Sequence, residues 1–531
     1  MLAEARYYAR MMRGCRDFLR TPKIPDPAAA IRERLANREN GFLDLMRQVV
    51  FANPANPYRE LFRWAGCELG DLETELQRDG LDATLKRLRE AGVRLSHEEF
   101  KGRKSIERGG KTLQARTTDF VNPLVKAAFE NMSSGSRSRG TVTRPSVEYQ
   151  IYREAQDALF MGQFLQPDRA VGAILPILPS SVWLHRSLSC RRNGHPIEKW
   201  FTADGSWRES GHYKLLTHLL VAETKLLGAG IEGPTFLPHG DFSPVVRWIL
   251  EQRAAGRPAL ISSPVSLGVR VAAAALESGA DIAGTLFLCG AEPLTEARRA
   301  VMERAGGIVY PRYGISEVGW VGCSCHEMTT GSCVHVMRDS VAVISHRRLA
   351  PLSEVEVESL LVTTLLPSAA YVLVNVEMDD CGKLEEATCN CDFRAMGFTQ
   401  QIRDIYSFGK LTGQGITLLG GDLLKVLESS LPERFGGTPI DYQLVELDDS
   451  SKAVVELRVH PRLGVRSEAD VRGYFLAEIR RLWGGSLTYR QWSETDAVRI
   501  AFAEPYVSGG RKVNSLHLLA SPDRRPATDG R

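Results

Sequence analysis

Pro258-Ala-Leu-Ile-Ser-Ser263, Thr285-Leu-Phe-Leu-Cys289 and Ile308-Val-Tyr310 are three short apolar runs, and what lies between them decides the fold. Leu267–Leu276 is alanine-rich and reads as a helix, and a second helix is expected from Thr295 to about Ala305. Upstream, Ser243-Pro244 reads as an N-cap followed by a first-position proline, opening a helix that Gly256 ends. This strand–helix alternation predicts an α/β fold, a mostly parallel sheet with helices on both faces. Ligands in such sheets sit beyond the carboxyl ends of the strands. The turns after Cys289 and Tyr310 are therefore where chemistry is to be sought.

The pattern differs on either side. The first 95 residues read as helical, with an apolar stripe over 81–91 and Gly92 as the stop. Towards the end, 440–447 and 453–459 alternate apolar and polar residues around the turn Asp448-Asp-Ser-Ser451. A helix over Ser467–Trp483 and two short strands, Leu487–Gln491 and Ala497–Ala503, complete a small α+β unit. The expected plan is a large N-terminal domain over 1–405, with its core at about 120–400, and a small mobile domain over 406–531. The boundary, and so the hinge, falls near 403–412.

Composition excludes several classes. With 43% hydrophobic and 25% charged residues the chain matches globular averages and not disordered ones. Lys and Arg number 67 against 64 acidic residues, a net charge of +3, too small for the broad basic field of a nucleic-acid binder. The N-terminus is charged throughout, and the longest uncharged runs, Ala170–Leu184 and Ser359–Val376, carry Pro, Ser, Thr or Asn. They read as buried strands and turns, not as membrane spans, and a cytoplasmic location is expected. Six of the ten cysteines crowd between Cys323 and Cys391. In a reducing compartment, such clustering points to metal before disulfide.

Three segments carry the candidate chemistry. Ser133-Ser-Gly-Ser-Arg-Ser-Arg-Gly140 combines glycines that let backbone N–H groups approach phosphates, hydroxyl donors, and the cations Arg137 and Arg139, with Arg144 nearby. Cys289-Gly-Ala-Glu-Pro293 follows one strand of the core, and Arg312-Tyr-Gly-Ile-Ser-Glu317 follows the next. There Tyr313 could stack on a flat base, Ser316 could donate to a phosphate and Glu317 could hold Mg²⁺ through oxygen.

Together, in this order, the three segments resemble the adenylate-forming superfamily of acyl-CoA synthetases, luciferases and nonribosomal-peptide adenylation domains. The likeness runs from about residue 90 to 515 and is greatest to the phenylacetate-CoA ligase branch, through the helical start, Phe100-Lys-Gly-Arg-Lys104 and the short C-terminal unit. It implies that Ser133, Ser134, Gly135, Ser136, Arg137 and Gly140 cradle the ATP phosphates. Gly290, Ala291, Glu292, Pro293, Tyr313, Gly314, Ile315 and Ser316 would hold the adenine and its surroundings, and Glu317 would be the Mg²⁺ ligand. A ribose-binding aspartate is expected in Val374-Asn-Val-Glu-Met-Asp-Asp380, as Asp379 with Asp380 the alternative. The catalytic lysine corresponds to Lys512 in Pro505-Tyr-Val-Ser-Gly-Gly-Arg-Lys512 if one residue is inserted; Arg511 occupies the unshifted position. The phosphate loop departs from the wider family in lacking its lysine.

Some members of that branch carry a structural zinc held by a Cys…His pair and a Cys-x-Cys pair. By that resemblance the ligands are Cys325, His335, Cys389 and Cys391, with Cys323, Cys333 and His326 as competitors. Four protein ligands leave no open position, so the site would be structural. The implied activity is adenylation of a carboxylic acid by Mg·ATP, release of pyrophosphate, and transfer of the acyl group to a thiol, most often that of CoA. Other acceptors in the superfamily are carrier-protein or protein thiols, serine hydroxyls and amines, and some relatives activate nitrite. A nucleotide-binding relative without turnover is a third reading, and a homodimer is compatible with all of them. His185, His195 and His239 have no spacing that singles them out.

Overall fold

The computed structural model describes residues 2–519 except 133–141, 166–167, 204–206, 239, 330, 350–355, 408–419, 450–451, 483–491, 493–497 and 509–510. The Ser133–Gly140 loop, His239, the 408–412 half of the 403–412 boundary and the strand expected over Leu487–Gln491 fall outside the described residues.

A twelve-stranded sheet forms the body. Its strands are β1 (Ala170–Ile174), β2 (Lys199–Thr202), β3 (Pro234–Phe236), β4 (Ala259–Pro264), β5 (Leu286–Gly290) and β6 (Ile308–Ile315), then β7 (Gly319–Cys323), β8 (Val334–Val336), β9 (Val341–Leu349), β10 (Glu356–Thr364), β11 (Val376–Glu386) and β12 (Gln400–Ser407). Their order is β9-β10-β11-β12-β8-β7-β6-β5-β4-β1-β2-β3. From β1 to β6 every pairing is parallel. Every residue of β1 and β4 is buried, which is why these strands read as unbroken apolar runs. From β6 to β12 and on to β9 the pairings are antiparallel.

The helices that matter for the site are α1 (Leu69–Glu90), α2 (Val147–Gly162), α3 (Val182–Arg192), α4 (Ser243–Ala254), α5 (Val265–Ser278) and α6 (Glu296–Arg304). Helix α1 starts 12 residues before the expected stripe because Gly80, with φ 75°, kinks two helical segments that run together. Helix α4 begins as expected, but its N-cap is Phe242, and the Asp241 carboxylate accepts the Ser243 N–H at 2.8 Å. Ser243 is thus not the cap; the aspartate two residues upstream of Ser243 forms the turn instead. Thr295 caps α6, its hydroxyl accepting from the Arg298 N–H.

A separate four-stranded sheet is built from β13 (Tyr442–Asp449), β14 (Lys452–Val459), β15 (Val498–Phe502) and β16 (Leu516–Leu519), in the order β15-β14-β13-β16. Helix α7 (Glu468–Arg481) buries Val471, Phe475 and Ile479 against Leu444 and Leu457 of that sheet, forming a core of its own. In the large unit Trp183 is fully buried and stacked on Trp200, centroids 4.7 Å apart, which makes it a core residue. Among the described residues no helix is long and apolar enough to cross a membrane.

Candidate functional site

Parallel register sets the site. Cys289 on β5 lies level with Ser263 on β4 and with Pro311 on β6, so the carboxyl ends of β5 and β6 open side by side. Gly290 must come close to β6 there: a Cβ on it would sit 3.1 Å from the Arg312 carbonyl oxygen. Ala291 follows in the left-handed region at φ 66°, turning Glu292 and Pro293 over the sheet edge. Strand β6 does not stop at Tyr310. It continues through the expected turn to Ile315 and pairs antiparallel with β7, with a register shift at Tyr313/Gly314. The two segments line one cleft of about 240 Å³, which Ala291, Glu292, Pro293, Tyr313, Gly314 and Asp380 share.

Adjacent aspartates on β11 go separate ways. Asp379 has φ 62°, and its carboxylate meets His97 Nδ1 at 2.9 Å. Asp380 lines the cleft and accepts the Tyr313 hydroxyl at 2.7 Å. Burial and the neighbouring Asp380 push the Tyr313 phenol far above its usual range, so it stays protonated and donates. Of the two, the alternative, Asp380, is the one at the cleft.

Beyond Ile315 the segment turns away. Glu317 is buried, and its Oε1 is 2.5 Å from Lys101 Nζ, on the residue that follows the short helix His97–Phe100. The other oxygen, Oε2, has no hydrogen-bond partner among the described residues, so the carboxylate can still offer an oxygen to a cation. Ser316 and Glu317 line a second cavity, next to the cleft along the chain.

The small unit docks onto this edge. The Val513 N–H donates to Ser266 Oγ at 3.2 Å, and Ser266 in turn donates its N–H and hydroxyl to Glu292 at 2.9 and 2.8 Å. Arg298 on α6 reaches the Val513 carbonyl at 3.1 Å, Ser515 Oγ at 2.8 Å and Glu428 at 3.1 Å, all buried. Ser508 N–H bonds the Lys512 carbonyl at 2.9 Å, and Arg511 sits at φ 59° inside that turn. Lys512 thereby comes within the field of Glu292. Burial lowers its ammonium pKa and Glu292 opposes the shift. Lys512 is thus placed near the Gly290–Pro293 turn through Glu292.

Cys325, His335, Cys389 and Cys391 converge from three segments, with all ligand atoms within 4.8 Å of one another. His335 Nε2 lies 3.3 Å from the Cys389 sulfur and 3.2 Å from that of Cys391, and the two sulfurs are 3.3 Å apart. His335 Nδ1 bonds the Phe398 carbonyl at 2.8 Å, which fixes the tautomer and leaves Nε2 free to ligate. A tetrahedral zinc at about 2.3 Å from sulfur sets ligand atoms roughly 3.5–3.8 Å apart, so the donor set fits with small expansion. The competitors lie outside it. Cys323 is buried in the field of Arg312 and Asp157, Cys333 in that of Arg403 and Glu385, and His326 is half exposed beside Glu327.

Three participants had no sequence signal. Lys101 and His97 reach the site from more than 200 residues upstream, and Arg153 on α2 faces the second cavity. No family model matches this sequence, and no curated protein sequence matches it. Among solved structures, 2-hydroxyisobutyryl-CoA ligase in the postadenylation state, in complex with R3-HIB-AMP, is similar with a TM-score of 0.51 and 11% identity, over 94% of this chain and 91% of that one. O-succinylbenzoate coenzyme A synthetase from Bacillus subtilis, in complex with ATP and magnesium ion, gives a TM-score of 0.40 and 13% identity over 73% and 69%. The chain shares the fold of that 2-hydroxyisobutyryl-CoA ligase.

Proposed function

We propose, with that fold as premise, that the protein is an ATP-dependent adenylating ligase acting on a carboxylic acid. The observation that carries the reading is convergence: Ala291–Pro293, Tyr313, Gly314 and Asp380 share one cleft at the carboxyl edge of the parallel strands, with Lys512 drawn to its rim. Tyr313 offers a flat ring to adenine, and Asp380 offers a carboxylate to ribose hydroxyls. The Ser133–Gly140 loop, by its composition, is the phosphate cradle. Glu317 would hold Mg²⁺, which neutralises phosphate charge when bound.

In this reading a carboxylate oxygen of the substrate attacks the α-phosphorus of ATP. The bond from that phosphorus to the bridging oxygen breaks, and pyrophosphate leaves an acyl adenylate behind. Lys512 places a positive charge at the reacting oxygens, where it is worth more in a water-poor site. The sulfur of a thiol, that of CoA, then attacks the acyl carbon; the bond to AMP breaks and the thiol proton is released. The small unit, with its hinge near 403–412, would rotate between the two steps. Cys325, His335, Cys389 and Cys391 would hold a structural zinc that ties β8 to the 389–391 loop, outside the chemistry.

ATP–pyrophosphate exchange over a panel of acids tests the proposal. Acid-dependent exchange is expected. No exchange with any acid, in protein that still binds ATP, would leave a nucleotide-binding relative without turnover.

A further inference from the structure

The second cavity, about 40 Å³, is lined on one side by Ser316–Gly319 and on the other by α2 and α3. Tyr149 fixes its geometry. The Tyr149 hydroxyl donates to the Val318 carbonyl at 3.0 Å, and a Cβ on Gly319 would sit 1.7 Å from that hydroxyl. Three further polar groups face the space. Arg153 Nε and His185 Nε2 are buried without a hydrogen-bond partner. Gln150, also buried, lines the same space.

Charge in this region is out of balance. Arg153, Arg186 and Arg312 surround the indole of Trp320, with their guanidinium carbons 4.9, 5.4 and 5.1 Å from the ring centroid. Arg186 and Arg312 are buried. One carboxylate stands among them, Asp157, and it accepts from Trp320 Nε1 at 3.1 Å and Ser189 Oγ at 3.2 Å. None of the three guanidiniums forms an ion pair among the described residues. The other acid facing the cavity, Glu317, is already tied to Lys101. Unpaired buried cations are unfavourable unless a further anion arrives to compensate them.

We propose that this cavity receives the acid, and that the acid carries a second anionic group held by Arg153, with Gln150 and His185 as neutral hydrogen-bonding groups. The class is a compact dicarboxylate or an acid of similar charge. The reacting carboxylate lies towards Ser316–Gly319 and the second anion towards α2. This assignment rests on the adenylation reading.

The test is ATP–pyrophosphate exchange by the full-length protein with malonate, succinate and glutarate against propionate, butyrate, valerate and benzoate. The dicarboxylates are expected to have kcat/KM about 10–100-fold higher, the range a charge-assisted hydrogen bond supplies. Arg153→Leu should abolish the preference by raising KM for the acid while leaving KM for ATP in place, and Arg153→Lys should restore part of it. Should Arg153→Leu fail to fold, calorimetric binding of malonate against propionate to the unaltered protein decides the matter, and equal affinities overturn the assignment. Exchange driven by apolar acids and insensitive to Arg153 overturns it alone. The absence of exchange with every acid overturns it together with the adenylation reading.

Discussion

Asp379 and Asp380 are neighbours in sequence with opposite surroundings, and exchanging each for asparagine separates their roles. Asp380 lines the cleft and accepts the Tyr313 hydroxyl at 2.7 Å. A carboxylate that bonds ribose hydroxyls contributes about 1.5–3 kcal/mol as a charged acceptor, equivalent to roughly 10–150-fold in affinity. Asp380→Asn should therefore weaken ATP binding by about that factor. It should also let the Tyr313 phenol titrate at lower pH, because the negative charge that opposes its ionisation is gone. Asp379 meets His97 at 2.9 Å, with side chains 25% and 16% exposed, and a partly solvated pair of this kind contributes about 0–1 kcal/mol. Asp379→Asn should change ATP affinity less than about fivefold. Isothermal titration of ATP into each variant reads both numbers, and thermal unfolding confirms that both are folded. The reverse ranking, with Asp379→Asn the weaker binder, would refute the placement of the nucleotide in this cleft.

Three further outcomes can be checked. Purified protein should contain about one equivalent of zinc, and chelation should lower its melting temperature; in Cys391→Ala the chelator should have no further effect, and a full melting shift there would remove zinc from the site. Burial holds the His185 imidazole neutral, its pKa pushed down to about 3, so the unfolded chain takes up a proton that the folded one refuses as pH falls below about 6.5. Stability should accordingly be complete above that pH and decline on acidification by up to about 1.4 kcal/mol per pH unit, a slope that unfolding titrations should find shallower in His185→Gln. Glu428→Ala would leave Arg298, buried at 3% exposure, with the longer 3.6 Å contact to Glu292 in place of its closer acid, a change of up to about 3 kcal/mol against the docked small unit, visible in small-angle scattering as a larger radius of gyration.

The parallel half of the sheet was legible because its strands are buried on both faces. Such strands must be apolar throughout, so β4, β5 and β6 stand out from the helices between them. The position of the two motif segments at the sheet edge followed from topology, since the carboxyl ends of neighbouring parallel strands open together, although the turn expected after Tyr310 proved to be a continuation of β6 to Ile315. The zinc-type donor set was legible as two close pairs, although spacing did not separate Cys325 from Cys323. The aspartate assignment failed to resolve for a physical reason: one left-handed residue, Asp379, reverses which neighbour faces the cleft, and nothing in Met-Asp-Asp signals that conformation. Lys101 and Arg153 were hidden because they act through contacts closed only by the fold. The lysine meets Glu317 across 216 positions and the arginine meets Trp320 across 167.

One segment, Tyr313–Gly319, serves as a wall for both the nucleotide cleft and the second cavity. It carries the Tyr313 ring, the Glu317 carboxylate and, at Gly319, a glycine whose added Cβ would meet the Tyr149 hydroxyl, so its freedom to vary is small. The opposite wall, on α2 and α3, touches none of the nucleotide positions. On the adenylation reading proposed above, new substrate preferences can arise by exchange of a few helix residues such as Gln150, Arg153 and His185 while the nucleotide cleft is inherited unchanged. A family built on this plan is expected to diversify from one side only.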